Sequence, residues 1–159
     1  MPRLPFLLAI VGLAATPALA DNVTAKFNGI GGSVTLVPGP KGVLVKIDAT
    51  GLTPGWHAVH FHEKGTCDDA GFKMAGSHTH AGTSVHGLLN PAATDTGDLT
   101  NIYAGADGTA KAEIYSSLLI LSDLQDEDGS AVVVHAKADD YTTQPIGGAG
   151  DRVGCAVIK

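Results

Sequence analysis

Histidine and aspartate side chains that could bind a transition metal are concentrated in the middle of the sequence. His60 and His62 lie in residues 55–63, a segment rich in aromatic and β-branched residues and bounded by turn signals, which predicts a strand. Alternate side chains of a strand share one face, so the two imidazoles form half of a metal site on rigid backbone. The pattern His-x-His is short, and two unrelated histidines on a polar face are the alternative interpretation.

Further candidate ligands follow this strand. All seven histidines of the chain fall between positions 57 and 135. Neutral imidazole nitrogen suits copper and zinc, and carboxylates beside imidazoles favour zinc over cuprous copper. A scatter of unrelated surface residues is the alternative to a metal site. The candidates after the first strand are His78, His80, His86, Asp95, Asp98, His135 and Asp139.

The elements that must position these residues are short strands. Segments of alternating polar and apolar residues predict eight of them, as in an all-β sandwich or barrel. The run 131–135 is apolar before its final histidine, which suits a strand buried on both faces, and residues 116–125 are predicted as loop or a brief turn. Two stretches, 64–97 and 137–151, show no strand pattern, and irregular loops of this length are usually functional. The strands are predicted at residues 23–27, 33–36, 43–48, 55–63, 99–104, 110–115, 131–135 and 153–158.

The N-terminus and the overall charge restrict the compartment and the partners. Arg3, the apolar residues 5–13 and the sequence Ala18-Leu19-Ala20 predict a signal peptide over residues 1–20, cleaved after Ala20, which leaves one domain over residues 21–159. The apolar run is too short to span a bilayer, so a retained anchor is the weaker alternative. The formal net charge of −6 and the lack of a basic patch argue against nucleic-acid binding.

Cys67 and Cys155 are the only cysteines of the chain. An even number of cysteines in an exported protein predicts a disulfide, because the compartments outside the cytoplasm are oxidising. Two free buried thiols, or two thiolate metal ligands, are the alternatives.

Five motifs occur in a fixed order along the chain. They are Gly-Trp-His-Ala-Val-His-Phe-His-Glu-Lys-Gly-Thr-Cys at 55–67, Ala-Gly-Ser-His at 75–78, Gly-Asp-Leu at 97–99, Val-Val-His-Ala-Lys-Ala-Asp-Asp at 133–140 and Gly-Gly-Ala-Gly-Asp-Arg-Val-Gly-Cys-Ala-Val-Ile at 147–158. Together they resemble the copper/zinc superoxide dismutases in their exported bacterial form. The resemblance implies an eight-stranded Greek-key β-barrel or sandwich with two long functional loops, located in the periplasm.

The resemblance also implies a role in the metal centre for each candidate except His80. His78 is implied to be the imidazolate that bridges the two metals. Asp139 resembles the carboxylate that accepts hydrogen bonds from one copper histidine and one zinc histidine, here His60 and His86, and thereby fixes their ring orientation. The implied copper ligands are His60, His62, His78 and His135, and the implied zinc ligands are His78, His86, Asp95 and Asp98.

Four other residues match family positions outside the metal shells. Arg152 resembles the arginine beside copper that attracts the substrate anion, and Cys67 and Cys155 match the family disulfide. His57 matches a histidine that is not a ligand, and strand alternation agrees because it faces away from His60 and His62.

The activity that the resemblance implies is conversion of superoxide to oxygen and hydrogen peroxide at a redox-cycling copper with an adjacent zinc. Arg152 and His78 would be the catalytic residues. The alternative is a periplasmic copper-binding or copper-buffering module on the same fold, because fold does not fix function. Arg152 favours the enzyme, since a buffer has no use for an arginine that guides anions. Superoxide is the expected partner, neither nucleic acid nor a membrane span is expected, and the sequence leaves the protein either monomeric or homodimeric.

Three features depart from the family pattern. Asp95 stands where a third zinc histidine is usual, and zinc accepts carboxylate oxygen, so Asp95 is expected to bind it less tightly than a histidine would. His80 is extra; it could complete the zinc shell instead, although a solvated side chain is the expectation. Residues 140–150 lack the charged side chains that many relatives use for steering, which leaves Lys64 and Lys73 as candidates or as ordinary surface lysines.

Overall fold

The structure is a computed structural model that describes residues 20–80 and 82–159. The predicted signal peptide, apart from Ala20, lies outside the described residues. These residues form nine strands, one short helix, α1 (Leu121–Leu124), and one turn of 3₁₀ helix, Lys73–Ala75. In residues 20–80 and 82–159, no helix has the length and apolar character needed to cross a bilayer. The strands are β1 Val23–Lys26, β2 Gly31–Gly39, β3 Gly42–Thr50, β4 Gly55–His57, β5 Val59–His62, β6 Ile102–Ala104, β7 Ala110–Ser116, β8 Ser130–His135 and β9 Arg152–Ile158.

The strands form an antiparallel sandwich around one main core. One sheet has the order β1-β2-β3-β7, a second has the order β5-β8-β9, and β4 pairs with β6. In β2 and β3 the inward-facing side chains, such as Val34, Leu36 and Val45, are fully buried, whereas Thr35 and Lys46 between them face outward. The second sheet contributes Phe61, Val132 and Val134 to the same core, so the period-2 pattern of the sequence is the pattern of burial.

The all-β prediction is confirmed, with one change of description. Seven of the predicted strands are present as single strands, and the predicted histidine strand is present as two, β4 and β5. The pairing of β3 with β7, and of β5 with β8, joins strands that are not consecutive, which is a feature of Greek-key topology. Among the described residues the ladders do not close into a barrel, so the sandwich is the better description.

The histidine strand changes sheet at Ala58. β4 pairs with β6, whereas β5 pairs with β8. Between them, the Ala58 N–H donates to the Lys137 carbonyl over 2.8 Å, and the Ala58 carbonyl accepts the His135 N–H over 2.9 Å. The change of sheet separates His57 from His60 and His62, and it places β5 beside the end of β8 that carries His135.

The central strand of the second sheet brings together groups that are far apart in sequence. β8 is buried along its whole length, as its apolar sequence predicts. Its pairing with β9 passes from Val134–Gly154 to His135–Arg152, so Val153 is left unpaired, and an irregularity of this kind re-aims the neighbouring side chain of β9. His135 pairs with Arg152 at the start of β9, so the arginine is positioned beside a histidine of β8 by strand pairing alone.

Candidate metal centre

The long segment after β5 folds back along the edge of β5 that β8 leaves free. The Phe61 N–H donates to the Gly97 carbonyl over 2.8 Å, and the Thr79 N–H donates to the Phe61 carbonyl over 2.9 Å. A Cβ atom on Gly97 would overlap the Phe61 carbonyl oxygen, so this close approach requires glycine. The backbone contacts place His78 opposite His62 and Asp98 opposite His60.

Four buried ring nitrogens point into one space and have no hydrogen-bond partner among the described residues. The four histidines that carry them come from β5, β8 and the long loop, and each offers a ligand atom within 4.8 Å of the others. Nitrogen ligands about 2.0 Å from one metal ion are spaced on this scale. Buried polar atoms are rarely left unpaired, so four of them facing each other indicate a site that could bind a cation. The atoms are His60 Nδ1, His62 Nε2, His78 Nε2 and His135 Nε2.

The opposite nitrogen of each ring is held by the protein, and this fixes which nitrogen is free. His62 Nδ1 donates to the Gly76 carbonyl over 3.0 Å, and His135 Nδ1 donates to the Gly150 carbonyl over 3.2 Å. His60 Nε2 donates to Asp139 Oδ2 over 2.8 Å. A hydrogen on one nitrogen leaves the lone pair on the other, which is the form that binds a metal. The donor set and its tautomers therefore fit copper.

A second cluster of possible ligands lies on the other side of His78. Asp98 Oδ1 is 3.0 Å from His78 Nδ1 and 2.9 Å from His86 Nδ1. Asp95 Oδ2 is 3.2 Å from His78 Nδ1 and 3.9 Å from His86 Nδ1, and it has no hydrogen-bond partner among the described residues. Four ligands at about 2.0 Å in a tetrahedron are about 3.3 Å apart, so His78, His86 and Asp98 are spaced to share one zinc ion. Asp95 lies nearer to His78 than to His86 and is the candidate fourth ligand.

His78 belongs to both clusters. Its Nε2 is the unpaired nitrogen of the first cluster, and its Nδ1 faces the two carboxylates of the second. A ring that presents a nitrogen to each of two cations can carry a negative charge that it could not carry alone. The geometry therefore places His78 where a bridging ligand would stand.

Asp139 links the two clusters from behind. In addition to its bond with His60, its Oδ1 accepts a hydrogen bond from His86 Nε2 over 3.0 Å. Asn101 holds the backbone of Asp139 at both ends: its Oδ1 accepts the Asp139 N–H and its Nδ2 donates to the Asp139 carbonyl, each over 2.9 Å. One buried carboxylate thus orients a histidine of each cluster.

The two clusters differ in their electrostatics. In the first cluster, burial lowers the pKa of His60 to about 4 and the pKa of His135 to about 3, so both rings are neutral at neutral pH. In the second cluster, burial also disfavours charge on His86, but hydrogen bonds with Asp139 and Asp98 prevail and raise its pKa to about 10. The pKa of His78 is raised as well, because Asp95 and Asp98 outweigh its burial. The second cluster therefore favours a positive charge, which a cation would supply.

Comparison with known proteins identifies the family. The sequence model of the family described as copper/zinc superoxide dismutase (SODC) matches residues 30–158. The chain is 61% identical over 135 residues to "Superoxide dismutase [Cu-Zn]" of Caulobacter vibrioides, which covers 80% of this chain and 78% of that protein. The chain belongs to the copper/zinc superoxide dismutase family.

Solved structures of this family have the same fold as the chain. "Cu/Zn superoxide dismutase from Brucella abortus" matches with a TM-score of 0.73 and 29% identity, and the match covers 87% of this chain and 100% of that chain. A "SOD-like protein from Bacillus subtilis" matches with a TM-score of 0.77 and 33% identity, over 86% of this chain and 97% of the other. The predicted family is confirmed, and with it copper and zinc as the metals that the family implies.

In this dismutase fold, Arg152 lies at the mouth of the first cluster. Its Nη1 donates to the Phe72 carbonyl over 2.6 Å and its Nη2 donates to the Gly76 carbonyl over 2.7 Å. A cavity of about 190 Å³ opens there. Because the guanidinium is fixed by two carbonyls, it faces the cavity as a pre-oriented positive group. The cavity is lined by Ser77, His78, Ser84, Pro145, Ile146 and Arg152.

Two histidines lie outside both clusters. The ring nitrogens of His57 lie 2.7 Å from the backbone carbonyls of His135 and Thr53, so both face the protein backbone and neither faces a metal cluster. His80 pairs with Asp95 through the backbone, and its Nε2 lies 3.7 Å from Glu63 Oε2, whereas its Nδ1 is buried without a hydrogen-bond partner among the described residues. Asp95 Oδ2, at 3.2 Å from His78 Nδ1, is the better placed candidate for the fourth position of the acidic cluster.

Cys67 and Cys155 form a disulfide across 88 residues. It links β9 to the loop whose carbonyls bind Arg152, and it is consistent with an oxidising compartment.

Three polar residues near the site were not predicted from the sequence, because a polar residue in a loop gives no distinctive signal. Gln144 forms two hydrogen bonds with the backbone of His86: its Oε1 accepts the His86 N–H over 2.9 Å, and its Nε2 donates to the His86 carbonyl over 2.7 Å. The other two residues are Asn101 and Ser84.

Proposed function

We propose that this chain disproportionates superoxide to oxygen and hydrogen peroxide. Copper would be held by His60, His62, His78 and His135, and zinc by His78, His86, Asp95 and Asp98. The observation that carries the proposal is the set of four unpaired buried nitrogens beside a fixed arginine, in a chain of the copper/zinc superoxide dismutase family. When bound, copper supplies one-electron redox chemistry that oxidises one superoxide and reduces the next.

Arg152 would attract the anion and donate hydrogen bonds to it. The chain is acidic overall, with a formal net charge of −6, so attraction has to be local. The guanidinium has further N–H groups beyond the two that bind carbonyls, and hydrogen bonds between ions are stronger than those between neutral groups. A copper store needs the four histidines but gains nothing from this arginine.

His78 would hold the proton that the reaction consumes. Its Nε2 faces the copper cluster and has no hydrogen-bond partner in the described part of the chain, while its Nδ1 is held on the zinc side by the carboxylates. A proton can therefore be taken up and released at Nε2 without loss of the ring position. Reduction of superoxide to hydrogen peroxide takes two protons, and this nitrogen is placed to deliver one.

The test is superoxide decay measured with three preparations of the mature protein: metal-free, zinc-only and loaded with both metals. Activity is expected only in the last, and His135→Gln is expected to abolish it. His80→Gln is the matched control, because it removes a histidine that lies outside the copper cluster. Stoichiometric copper binding without activity would instead identify a copper-buffering module.

We also propose that residues 1–20 are a signal peptide, that cleavage follows Ala20 and that the domain over residues 21–159 works in the periplasm. The leader sequence and the disulfide support this proposal. Mass spectrometry of the protein recovered from a periplasmic extract should give an N-terminus at Asp21. Recovery of the uncleaved chain from the cytoplasm would contradict it.

A homodimer is the proposed assembly. Leu88, Tyr115 and Leu118 are exposed and line a groove of about 240 Å³, and exposed apolar groups that cluster in this way commonly mark an interface. Sedimentation of the mature protein should give twice the chain mass, and Leu118→Glu should give the monomer. A monomer at all concentrations for the unsubstituted chain would overturn this assignment.

A further inference from the structure

The two aspartates of the zinc cluster are held in the same way, by donors from one short segment. Asp98 Oδ2 accepts the Gly87 N–H over 2.7 Å, which leaves Oδ1 facing the histidines. Asp95 Oδ1 accepts the Ser84 hydroxyl over 2.7 Å, which leaves Oδ2 facing His78. In each carboxylate the outer oxygen is bonded by residues 84–87 and the inner oxygen is free for a metal.

We propose that Ser84 is the positioning residue that makes Asp95 a zinc ligand through a single oxygen. The proposal rests on the proposed zinc ligands and goes beyond them. A carboxylate can bind through one oxygen or through both, and it can rotate between the two modes. A hydrogen bond to one oxygen makes the other the better placed ligand and restricts rotation of the group. Ser84 thus supplies Asp95 with the outer hydrogen bond that a ligand needs.

The backbone keeps Ser84 opposite Asp95. The N–H groups of Thr94 and Asp95 both donate to the Val85 carbonyl, over 2.9 and 3.1 Å. In return, the Val85 N–H donates to Thr94 Oγ1 over 3.0 Å, and the Thr94 hydroxyl donates to the Thr83 carbonyl. These contacts fix the segment 83–85 against 94–95. The backbone therefore already holds the Ser84 hydroxyl within reach of Asp95, and little further ordering of the side chain is needed.

The arrangement compensates for the unusual ligand. An imidazole ligand donates its second N–H to an acceptor, whereas a carboxylate has no hydrogen to donate and must accept instead. Ser84 provides a donor at this position, and it also lines the cavity that Arg152 faces.

The test measures zinc affinity by chelator competition, with Co²⁺ in the zinc cluster as a second probe. Ser84→Ala should lower the zinc affinity by about 10-fold, which is the lower end of the range for removing a ligand's hydrogen-bond partner. The lower end is expected because Ser84 is exposed and water can partly replace its hydroxyl. The Co²⁺ visible spectrum, which depends on coordination geometry, should change with it. Ser84→Thr keeps the hydroxyl and should restore both.

Two further variants separate the possible failures. Thr83→Ala is the control, since the Thr83 side chain has no hydrogen bond to any residue of 20–80 or 82–159, and zinc affinity should be unchanged. In an Asp95→Ala background, Ser84→Ala should have no further effect, because the carboxylate that accepts its hydrogen bond is gone. If Ser84→Ala keeps both the zinc affinity and the Co²⁺ spectrum while Asp95→Ala loses zinc, Ser84 does not position Asp95, although Asp95 remains a ligand. If Asp95→Ala also keeps zinc, the ligand set itself is wrong.

Discussion

The two halves of the metal centre share His78 but are built on opposite principles. The half proposed to bind copper, the copper half, consists of four histidines without a carboxylate, three of them on strands β5 and β8, and burial keeps His60 and His135 neutral. The half proposed to bind zinc, the zinc half, combines two histidines with two aspartates, all on one loop, and the carboxylates raise the pKa of His86 to about 10. The first half offers uncharged lone pairs on a rigid frame, and the second offers a negative site that requires a cation.

This difference matches what each metal has to do. The proposed copper ligands His60, His62 and His135 lie on hydrogen-bonded strands, which fix their positions more firmly than a loop would. A metal without redox chemistry can be surrounded by charge, and its binding can order the loop that carries its ligands. Asp139 belongs to neither half and accepts a hydrogen bond from a histidine of each.

The largest effect that tests this division is expected at Asp95. Asp95→Ala removes one ligand and one negative charge, and zinc affinity should fall by more than about 100-fold, beyond the range for a hydrogen-bond partner alone. Copper affinity should fall much less, because His78 is one of four proposed copper ligands and Asp95 lies on its zinc side. Asp95→His should bind zinc more tightly than the unsubstituted chain. If Asp95→Ala kept its zinc and His80→Ala lost it, His80 would be the ligand.

Asp139→Asn tests whether the halves are linked. Because Asp139 accepts hydrogen bonds from His60 and His86, the substitution should weaken both copper and zinc by about 10- to 100-fold. Asp140→Asn, at an exposed neighbouring carboxylate, is the control and should leave both affinities near their original values. Chelator competition for each metal gives the measurement, and loss of one metal alone would show that the halves are independent.

Arg152 tests the substrate side of the copper half. Arg152→Glu reverses the charge at the mouth of the cavity and should lower kcat/KM by at least about 10-fold, since local charge can change association rates by this much or more. Lys64→Glu should change it by no more than about 2-fold, because an exposed charge is screened within about 8 Å at physiological ionic strength. The rate of the unsubstituted enzyme should fall with added salt, and a rate insensitive to salt would contradict guidance by charge.

The smallest effect is a pH dependence of stability in the metal-free protein, with one limb from each half. Folded His60 and His135 have pKa values of about 4 and about 3 against an ordinary 6.5, so the unfolded chain binds more protons below pH 6.5 and stability falls as the pH drops towards 4. Folded His86 keeps its proton up to about pH 10, so stability also falls as the pH rises from 6.5 towards 10.

Urea unfolding of the chelator-treated protein from pH 4 to pH 10 measures both limbs. His86→Gln should remove most of the alkaline limb and leave the acid limb, and the protein loaded with both metals should show weaker limbs because bound nitrogens do not titrate. A metal-free protein with constant stability across this range would contradict the charge difference between the halves.

Strand positions were predictable because burial follows alternation. The inward-facing residues of β2, β3 and β7, and the continuous burial of β8, can be read directly from the order of apolar residues. The change of sheet at Ala58 was not predictable. Ala58 is apolar like its neighbours, and the change depends on bonds to His135 and Lys137, which are almost eighty residues away in the sequence.

The metal cluster was predictable in composition but not in its support. Histidine and aspartate are distinctive residue types, and the family motifs give them an order. Asn101, Gln144 and Ser84 are ordinary loop residues whose partners are backbone groups or a carboxylate distant in sequence; Gln144 reaches His86 across 58 residues. Only the folded loops show that these side chains hold Asp139, His86 and Asp95 in place.

The division between a neutral copper half and an acidic zinc half is tested most directly by locating each metal. Anomalous diffraction from a crystal of the fully loaded protein, recorded at the copper and zinc absorption edges, distinguishes the two ions. The account predicts copper among His60 Nδ1 and the Nε2 atoms of His62, His78 and His135, and zinc among His78, His86, Asp95 and Asp98. Exchanged positions, one metal in both clusters, or zinc bound to His80 in place of Asp95 would contradict it.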